Sequence, residues 1–282
     1  MKHLTGKVAA ITGAGSGLGR SLALALADEG CHLALADINL RGLQETVRLL
    51  AAKPIKASSQ ELDVADRDRV YAWAEAAVKE HGAVDLIINN AGVAVFERLE
   101  NLTYEDFEWV FKINFWGAVY GTRAFLPYLQ RRPEGHIVNI SSINGMVPFP
   151  SNGPYNAAKF ALRGFNLTLI QELRGTSVHV TSVHPGGIQT NIVRNARFRK
   201  PAAREINQND LVEVFASLAK MTPDQAARKI VKGIKKNKER LLVGADAKFI
   251  NAMARLAPST TLKLTAIIHE FLLARKASQK KG

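Results

Sequence analysis

The feature that most narrows what this chain can become is a regular alternation of two patterns over its first 190 residues. Short apolar, β-branched runs at 8–12, 32–36, 84–89, 136–140 and 178–183 are separated by longer stretches of helical character at 18–29, 40–52, 67–80, 116–131 and 155–173. Near-continuous apolarity suits strands that are covered on both faces. Strands that alternate with helices predict a parallel sheet with helices on either side, an α/β doubly wound architecture. Gly30, Gly82, Gly135 and Gly175 fall where helix ends or turns are expected.

After Thr190 the rhythm changes. Residues 191–210 read as polar and irregular, and 223–236 as a helix with Thr222 as N-cap and Pro223 at its first position. Residues 240–244 read as a last strand. Pro258 interrupts the chain, and Ser259 or Thr260 is expected to cap a final helix running to about residue 275. The expected organisation is one catalytic domain over 1–258, with a lid at about 191–218, and a C-terminal segment over 259–282. No run is apolar and long enough to span a bilayer, and the early first strand leaves no room for a signal peptide. A single cysteine, Cys31, allows no intrachain disulfide and points to a reducing, cytoplasmic setting.

Between the first strand and first helix stands Thr12-Gly13-Ala14-Gly15-Ser16-Gly17-Leu18-Gly19. Glycines permit a tight turn and close approach to a pyrophosphate, which the following helix N-terminus favours. The spacing is T-G-x-x-x-G-x-G rather than G-x-G-x-x-G, and no Lys-Ser/Thr pair follows, so a P-loop is disfavoured. Asp37 ends the second strand, where a carboxylate can accept hydrogen bonds from ribose hydroxyls and repel a 2′-phosphate. Ile38 follows it, and no basic residue stands among the loop glycines; both favour NAD over NADP, although Arg20 and Arg41 are near in sequence. Further on, Tyr155 and Lys159 are four apart, so they share a helix face, and Ser142 ends the strand before them.

Six motifs in order make the chain resemble the short-chain dehydrogenase/reductase family over about residues 5–190. They are Thr12-Gly13 to Gly19, Asp63-Val64, Asn89-Asn90-Ala91-Gly92, Asn114, Ser141-Ser142 with Tyr155 and Lys159, and Pro185-Gly186 to Thr190. The resemblance implies a single Rossmann-type domain with about seven mainly parallel strands and a C-terminal helical extension. It implies an oxidoreductase that transfers a hydride between a nicotinamide dinucleotide and a secondary alcohol or ketone. Tyr155 would exchange the proton of the substrate oxygen, Lys159 would bind the nicotinamide ribose and lower the tyrosine pKa, Ser142 would bond the substrate, and Asn114 would hold a water. Gly13, Ser16, Gly17, Leu18 and Gly19 would cradle the dinucleotide. Asp37 and Ile38 would meet its adenosine ribose, Asp63 and Val64 its adenine, and Asn90, Ala91 and Gly92 its ribose side. Pro185, Gly186, Ile188 and Thr190 would cover the nicotinamide. Homodimers or homotetramers built on helices 116–131 and 155–173 would follow. The departures are Asn156 and Ala157 within the tyrosine motif, and Gly187. An NADPH-dependent keto reductase and a non-catalytic NAD-sensing protein are the rival readings.

Ile192, Val193, Phe198, Val212, Val214, Phe215 and Leu218, with Val93, Phe96, Met146, Val147 and Phe149, suggest an apolar substrate pocket. His179 and His184 read as structural. His269-Glu270 lacks the second histidine of a zinc helix, and no metal is expected. Ser16 is not in a hydrolase elbow, because Ala14 replaces its first glycine. The net charge of +13 falls entirely within residues 191–282; residues 1–190 balance. Leu264, Ile267, Ile268, Phe271 and Leu272 form one apolar helical face, with Lys263, Arg275, Lys276, Lys280 and Lys281 around it. This segment is expected to pack on another subunit or to touch an anionic membrane surface; nucleic acid is not expected, because no aromatics interleave with the cations.

Overall fold

The computed structural model describes residues 1–198 and 207–278. In chain order its strands are β1 (Val8–Thr12), β2 (His32–Asp37), β3 (Ala57–Glu61), β4 (Leu86–Asn89), β5 (Val95–Phe96), β6 (Gly135–Ile140), β7 (Val178–Pro185), β8 (Arg197–Phe198) and β9 (Arg240–Val243). The helices are α1 (Gly17–Asp28), α2 (Leu40–Leu50), α3 (Arg67–His81), α4 (Tyr104–Phe111), α5 (Gly117–Leu129), α6 (Gly153–Glu172), α7 (Gln208–Leu218), α8 (Pro223–Lys235), α9 (Ala245–Leu256) and α10 (Pro258–Ser278). Seven strands form one sheet in the order β3-β2-β1-β4-β6-β7-β9, parallel throughout. The short β5 and β8 pair separately, also in parallel.

Strand alternation divides the core in two. Ala9 and Ile11 of β1 face Leu22 and Leu26 of α1 and Ile230 and Ile234 of α8. Val8 and Ala10 face the opposite layer, where Trp73 of α3 meets Phe125 of α5 edge to face at 5.1 Å. The chain leaves β1 toward β2 on one side and leaves β4 toward β6 on the other. The crevice between the loops after β1 and β4 is therefore the topological switch point, where ligands bind in open parallel sheets.

Several sequence expectations are corrected here. β3 is polar, Ala-Ser-Ser-Gln-Glu, and was not expected; as an edge strand it needs no continuous apolar run. Gly135 does not end a helix: it opens β6, where a Cβ would press against the Leu129 carbonyl, whereas Gly30, Gly82 and Gly175 do take positive φ. The irregular segment after Thr190 gives way to α7, started by a reciprocal cap between Asn207 and Asp210. Pro258 begins the last helix rather than preceding its cap, and Thr261 already donates back to the Ala257 carbonyl, so Ser259 and Thr260 lie inside it. The expected cap of α8 at Thr222 is present, and Gln225 reciprocates it.

One core group carries a pH consequence. His136 of β6 is fully buried, with Nε2 2.8 Å from Thr181 Oγ1, and burial pushes its pKa down to about 3. Below the ordinary value of 6.5 the unfolded chain takes up a proton that the folded chain refuses, so stability falls as pH drops through the window from 6.5 to about 3. Thermal melting of the wild type should show a falling midpoint between pH 7 and pH 5, and His136→Leu should flatten that slope. An unchanged slope in the variant would remove His136 as its source.

Candidate active site

The turn from β1 into α1 is set by close approach. Gly13 has φ +67°, and a Cβ there would lie 2.8 Å from Asn90 Nδ2; a Cβ on Gly19 would lie 2.0 Å from the Gly13 carbonyl oxygen. Asn90, at the exit of β4, donates to the carbonyls of Thr12 and Gly13 at 3.0 and 3.1 Å, and its backbone N–H donates to Thr12 Oγ1 at 3.0 Å. The two loops that border the crevice are thus tied to each other. Ser16 stands at the start of α1 without capping it with its side chain, leaving the helix's first N–H groups to an external anion.

Asp37 is held in place: Oδ2 accepts from Gly15 N at 2.7 Å and Oδ1 from Asn39 N at 2.8 Å. The cap of α2 is Asn39, which accepts from Gly42 N, so Asp37 keeps its place at the edge of the crevice beside the exposed Ile38. Arg20 is committed elsewhere, to the carbonyls of Gly15 and Gly42 at 2.6 and 3.0 Å and to Thr46 Oγ1 at 3.0 Å.

Across the crevice, α6 presents Tyr155 and Lys159 on one face. Lys159 is buried, and its Nζ donates to the Ile140 carbonyl at 2.9 Å and lies 5.6 Å from the centre of the Tyr155 ring. Burial lowers its pKa to about 8. Burial raises the Tyr155 phenol above the ordinary tyrosine value, and a hydrogen bond with Ser142 pulls it back down. The expected lowering of the tyrosine is therefore not a property of these protein groups alone. Asn156, a departure from the family pattern, binds Asn144 Nδ2 and the Phe149 backbone, fastening the loop after Ser142 to α6.

One cavity of about 910 Å³ brings together Gly13, Ser16, Gly17, Leu18, Gly19, Asp37, Ile38, Asp63, Val64, Asn90, Ala91, Gly92, Ser142, Tyr155, Lys159, Pro185, Gly186, Ile188 and Thr190. Asn114 is the exception. Both ends of its carboxamide bind Val93, Oδ1 accepting from N and Nδ2 donating to O, each at 2.8 Å. It braces the exit of β4 from within a π-helical turn, Lys112–Trp116, that joins α4 to α5.

The apolar part of the cavity differs from expectation. Met146 and Val147 do not line it; they are buried beneath α9 with Ala247. Val212 does not line it either. In their place Phe249, Ile250 and Met253 of α9 and Leu264, Ile268, Leu272 and Leu273 of α10 form a wall. The supposed single face of the last helix is divided: Leu264, Ile268 and Leu272 line the cavity, with Leu264 and Ile268 still partly exposed, while Ile267 and Phe271 are exposed and do not line it. The expected lid falls partly on residues 199–206, which lie outside the described residues, as do Lys280 and Lys281.

Asp246 carried no sequence signal, and neither did the linkage of Asn89 and His184 into one chain. Asp246, at the start of α9, accepts from Gly187 N at 2.7 Å and would collide with any Cβ on Gly186; it pins the segment after β7. Behind Ser142 runs a buried polar chain. Asn89 donates to Asn139 (2.7 Å), Asn139 to Asn166 (2.6 Å), Asn166 to Ser182 (2.9 Å), and Ser182 lies 2.9 Å from His184 Nε2. His184 Nδ1 lies 3.1 Å from the Ser142 carbonyl. Burial lowers the His184 pKa to about 4, so the ring is neutral at pH 7. The chain is then satisfied with the ring proton on Nδ1 and the Ser182 hydroxyl donating to Nε2.

A family model described as short chain dehydrogenase matches residues 7–201. The chain is 44% identical over 269 residues to "Putative oxidoreductase SadH" of Mycobacterium tuberculosis, covering 94% of this chain and 96% of that protein. Among solved structures it resembles a short chain dehydrogenase/reductase from Burkholderia phymatum in complex with NAD, at TM-score 0.81 and 31% identity over 91% of this chain and 96% of that one. It also resembles an alcohol dehydrogenase from Thermococcus sibiricus complexed with 5-hydroxy-NADP, at TM-score 0.70 and 27% identity, covering 84% and 95% of the two chains.

His184→Leu would remove one of two donors to the Ser142 carbonyl, which also accepts from Gly145 N at 3.0 Å, and would leave the Ser182 hydroxyl proton without its acceptor, at about 1–3 kcal/mol for that unsatisfied group. Chemical denaturation should show a loss of that order. A stability within about 0.5 kcal/mol of wild type would mean that the chain does not hold Ser142.

Proposed function

The chain belongs to the short-chain dehydrogenase family, and on that footing we propose that it moves a hydride between NAD and a lipophilic secondary alcohol or the corresponding ketone. The observation that carries this reading is the shared cavity: Ser142, Tyr155 and Lys159 face the same space as the glycine turn and Asp37. We assign the catalysis to residues 1–258 and treat 259–282 as an appended segment that completes the substrate side.

The residues fit a dinucleotide. The crowded glycines at 13 and 19 keep the turn from β1 into α1 tight, and the immobilised Asp37 carboxylate can take ribose hydroxyls while repelling an added phosphate. Arg20 is already engaged, so it offers no counter-charge for that phosphate. The NAD complex of the Burkholderia phymatum protein supports the same preference, while the Thermococcus sibiricus complex is the ground for testing NADP beside it. A bound nicotinamide ring would supply the hydride acceptor or donor and, when oxidised, positive charge beside the phenol.

Tyr155 is the acid/base. For alcohol oxidation its oxygen must receive the substrate's hydroxyl proton, so the reacting form is the phenolate. Ser142 bonds the phenol and would bond the substrate oxygen beside it, and a charged Lys159, 5.6 Å from the ring, would add positive charge that favours the anion. Bringing a phenol of pKa about 10 to neutrality needs on the order of 4 kcal/mol of preferential stabilisation. Fixed charges in a sheltered cleft can provide it. The apolar wall from α7, α9 and α10 selects a lipophilic substrate. Exposed Trp116 on the π-helical turn and Phe160 and Leu167 on α6 suit a homo-oligomer through these helices.

Hydride transfer measured spectrophotometrically over a panel of secondary alcohols should rise with pH. NAD should be preferred over NADP at least about tenfold, which is about 1.4 kcal/mol, and Asp37→Ala should erode that ratio. Preference for NADP would overturn the cofactor assignment. Tyr155→Phe should keep dinucleotide binding and lose turnover by on the order of 10²–10⁴-fold. Near wild-type turnover would refute the role of Tyr155.

A further inference from the structure

Two surface features involve α9. α9 and α10 expose large apolar side chains: Phe249, Leu256, Leu262, Ile267, Ile268 and Phe271. Phe249 and Ile268 also line the catalytic cavity, so two of these exposed apolar side chains stand at its substrate side. Between α8, β9 and α9 lies a groove of about 660 Å³ lined by Lys229, Lys232, Lys236, Lys238, Arg240 and Lys248. No carboxylate lines the groove, and among the described residues none of these six cations makes an ion pair. The whole excess charge of +13 belongs to this part of the chain.

We propose that this face docks on an anionic phospholipid bilayer, with the groove taking headgroup phosphates, the exposed side chains of α9 and α10 entering the acyl boundary, and the cavity mouth opening toward the lipid. A bilayer surface meets both features at once: lysines answer anionic headgroups, and an adjacent apolar ridge answers the hydrocarbon edge. A second copy related by a two-fold axis fits poorly, because an isologous contact would set the same cations against themselves. Nucleic acid would leave the apolar ridge in water. Among the described residues no helix is long and apolar enough to cross the membrane, so the contact is peripheral. That the mouth then delivers substrate from the bilayer rests on the lipophilic-alcohol reading; the docking does not.

Flotation of the full chain with vesicles of phosphatidylcholine alone, or mixed with phosphatidylglycerol, tests this directly. The wild type should float with the mixed vesicles, at least about fivefold less with the neutral ones, and progressively less as salt rises. Ile267→Ser with Phe271→Ser, and separately Lys229→Glu with Lys232→Glu, should each cut recovery at least about fivefold. None of the four lines the catalytic cavity, so turnover of a short water-soluble alcohol should stay within about twofold of wild type, which also reports folding. Absence of wild-type flotation, equal recovery on neutral vesicles, or recovery of both variants at the wild-type level would overturn the proposal. So would a fall in sedimenting mass of the Ile267→Ser/Phe271→Ser chain, which would give the ridge to a second copy. Should hydride transfer persist without flotation, the docking fails alone; flotation without hydride transfer would sink the oxidoreductase reading instead.

Discussion

The turn between β1 and α1 admits no side chain at Gly13 or Gly19, and the rest of the site depends on that close approach. It brings α1 hard against its own strand, lets Asn90 clamp the loop from β4, and gives the Gly15 N–H to Asp37. A β-carbon at Gly19 would have to displace backbone rather than a flexible side chain, so no local adjustment could absorb it. The tight glycine turn, the place of Asp37 and the tie between the loops after β1 and β4 are thus consequences of one packing constraint.

A second, polar constraint holds the reacting side. Four elements, β4, β6, α6 and β7, contribute to the buried chain from Asn89 to His184 that ends on the Ser142 carbonyl. Buried amides and hydroxyls without partners are costly, so a satisfied chain selects one register among strands whose apolar faces would tolerate several. One atom falls outside it: the Asn89 Oδ1 is buried without a partner among the described residues, and a Cβ on Gly121 would lie against it. Gly121 is the small residue that makes room for the first link.

How much was legible follows from what each residue answers to. The buried strands and the motif residues were readable because local spacing and burial dictate them; β1 falls where its apolar run stands. β3 was not, because an edge strand obeys pairing rather than hydropathy. Nor were α9 and the inward face of α10, whose apolar residues are shared between the cavity and the surface, so that no single stripe records them. Asp246 escaped, and so did the link from His184, which reads only as structural, because their partners, Gly187 and Ser142, lie 59 and 42 residues away in sequence. Asn114 was legible as a motif residue, but its work on the Val93 backbone was not.

The wall built by α9 and α10 lies almost wholly beyond the match to the family model, which ends at residue 201, whereas every reacting group lies within it. On the proposed function, the reacting groups and much of the substrate wall are written in different stretches of the gene, with Val93, Phe96 and Phe149 adding to the wall from the matched part. On the same reading, substitutions in α9 and α10 other than at Asp246, which pins the segment after β7, would redraw what the cavity accepts while sparing the reacting groups.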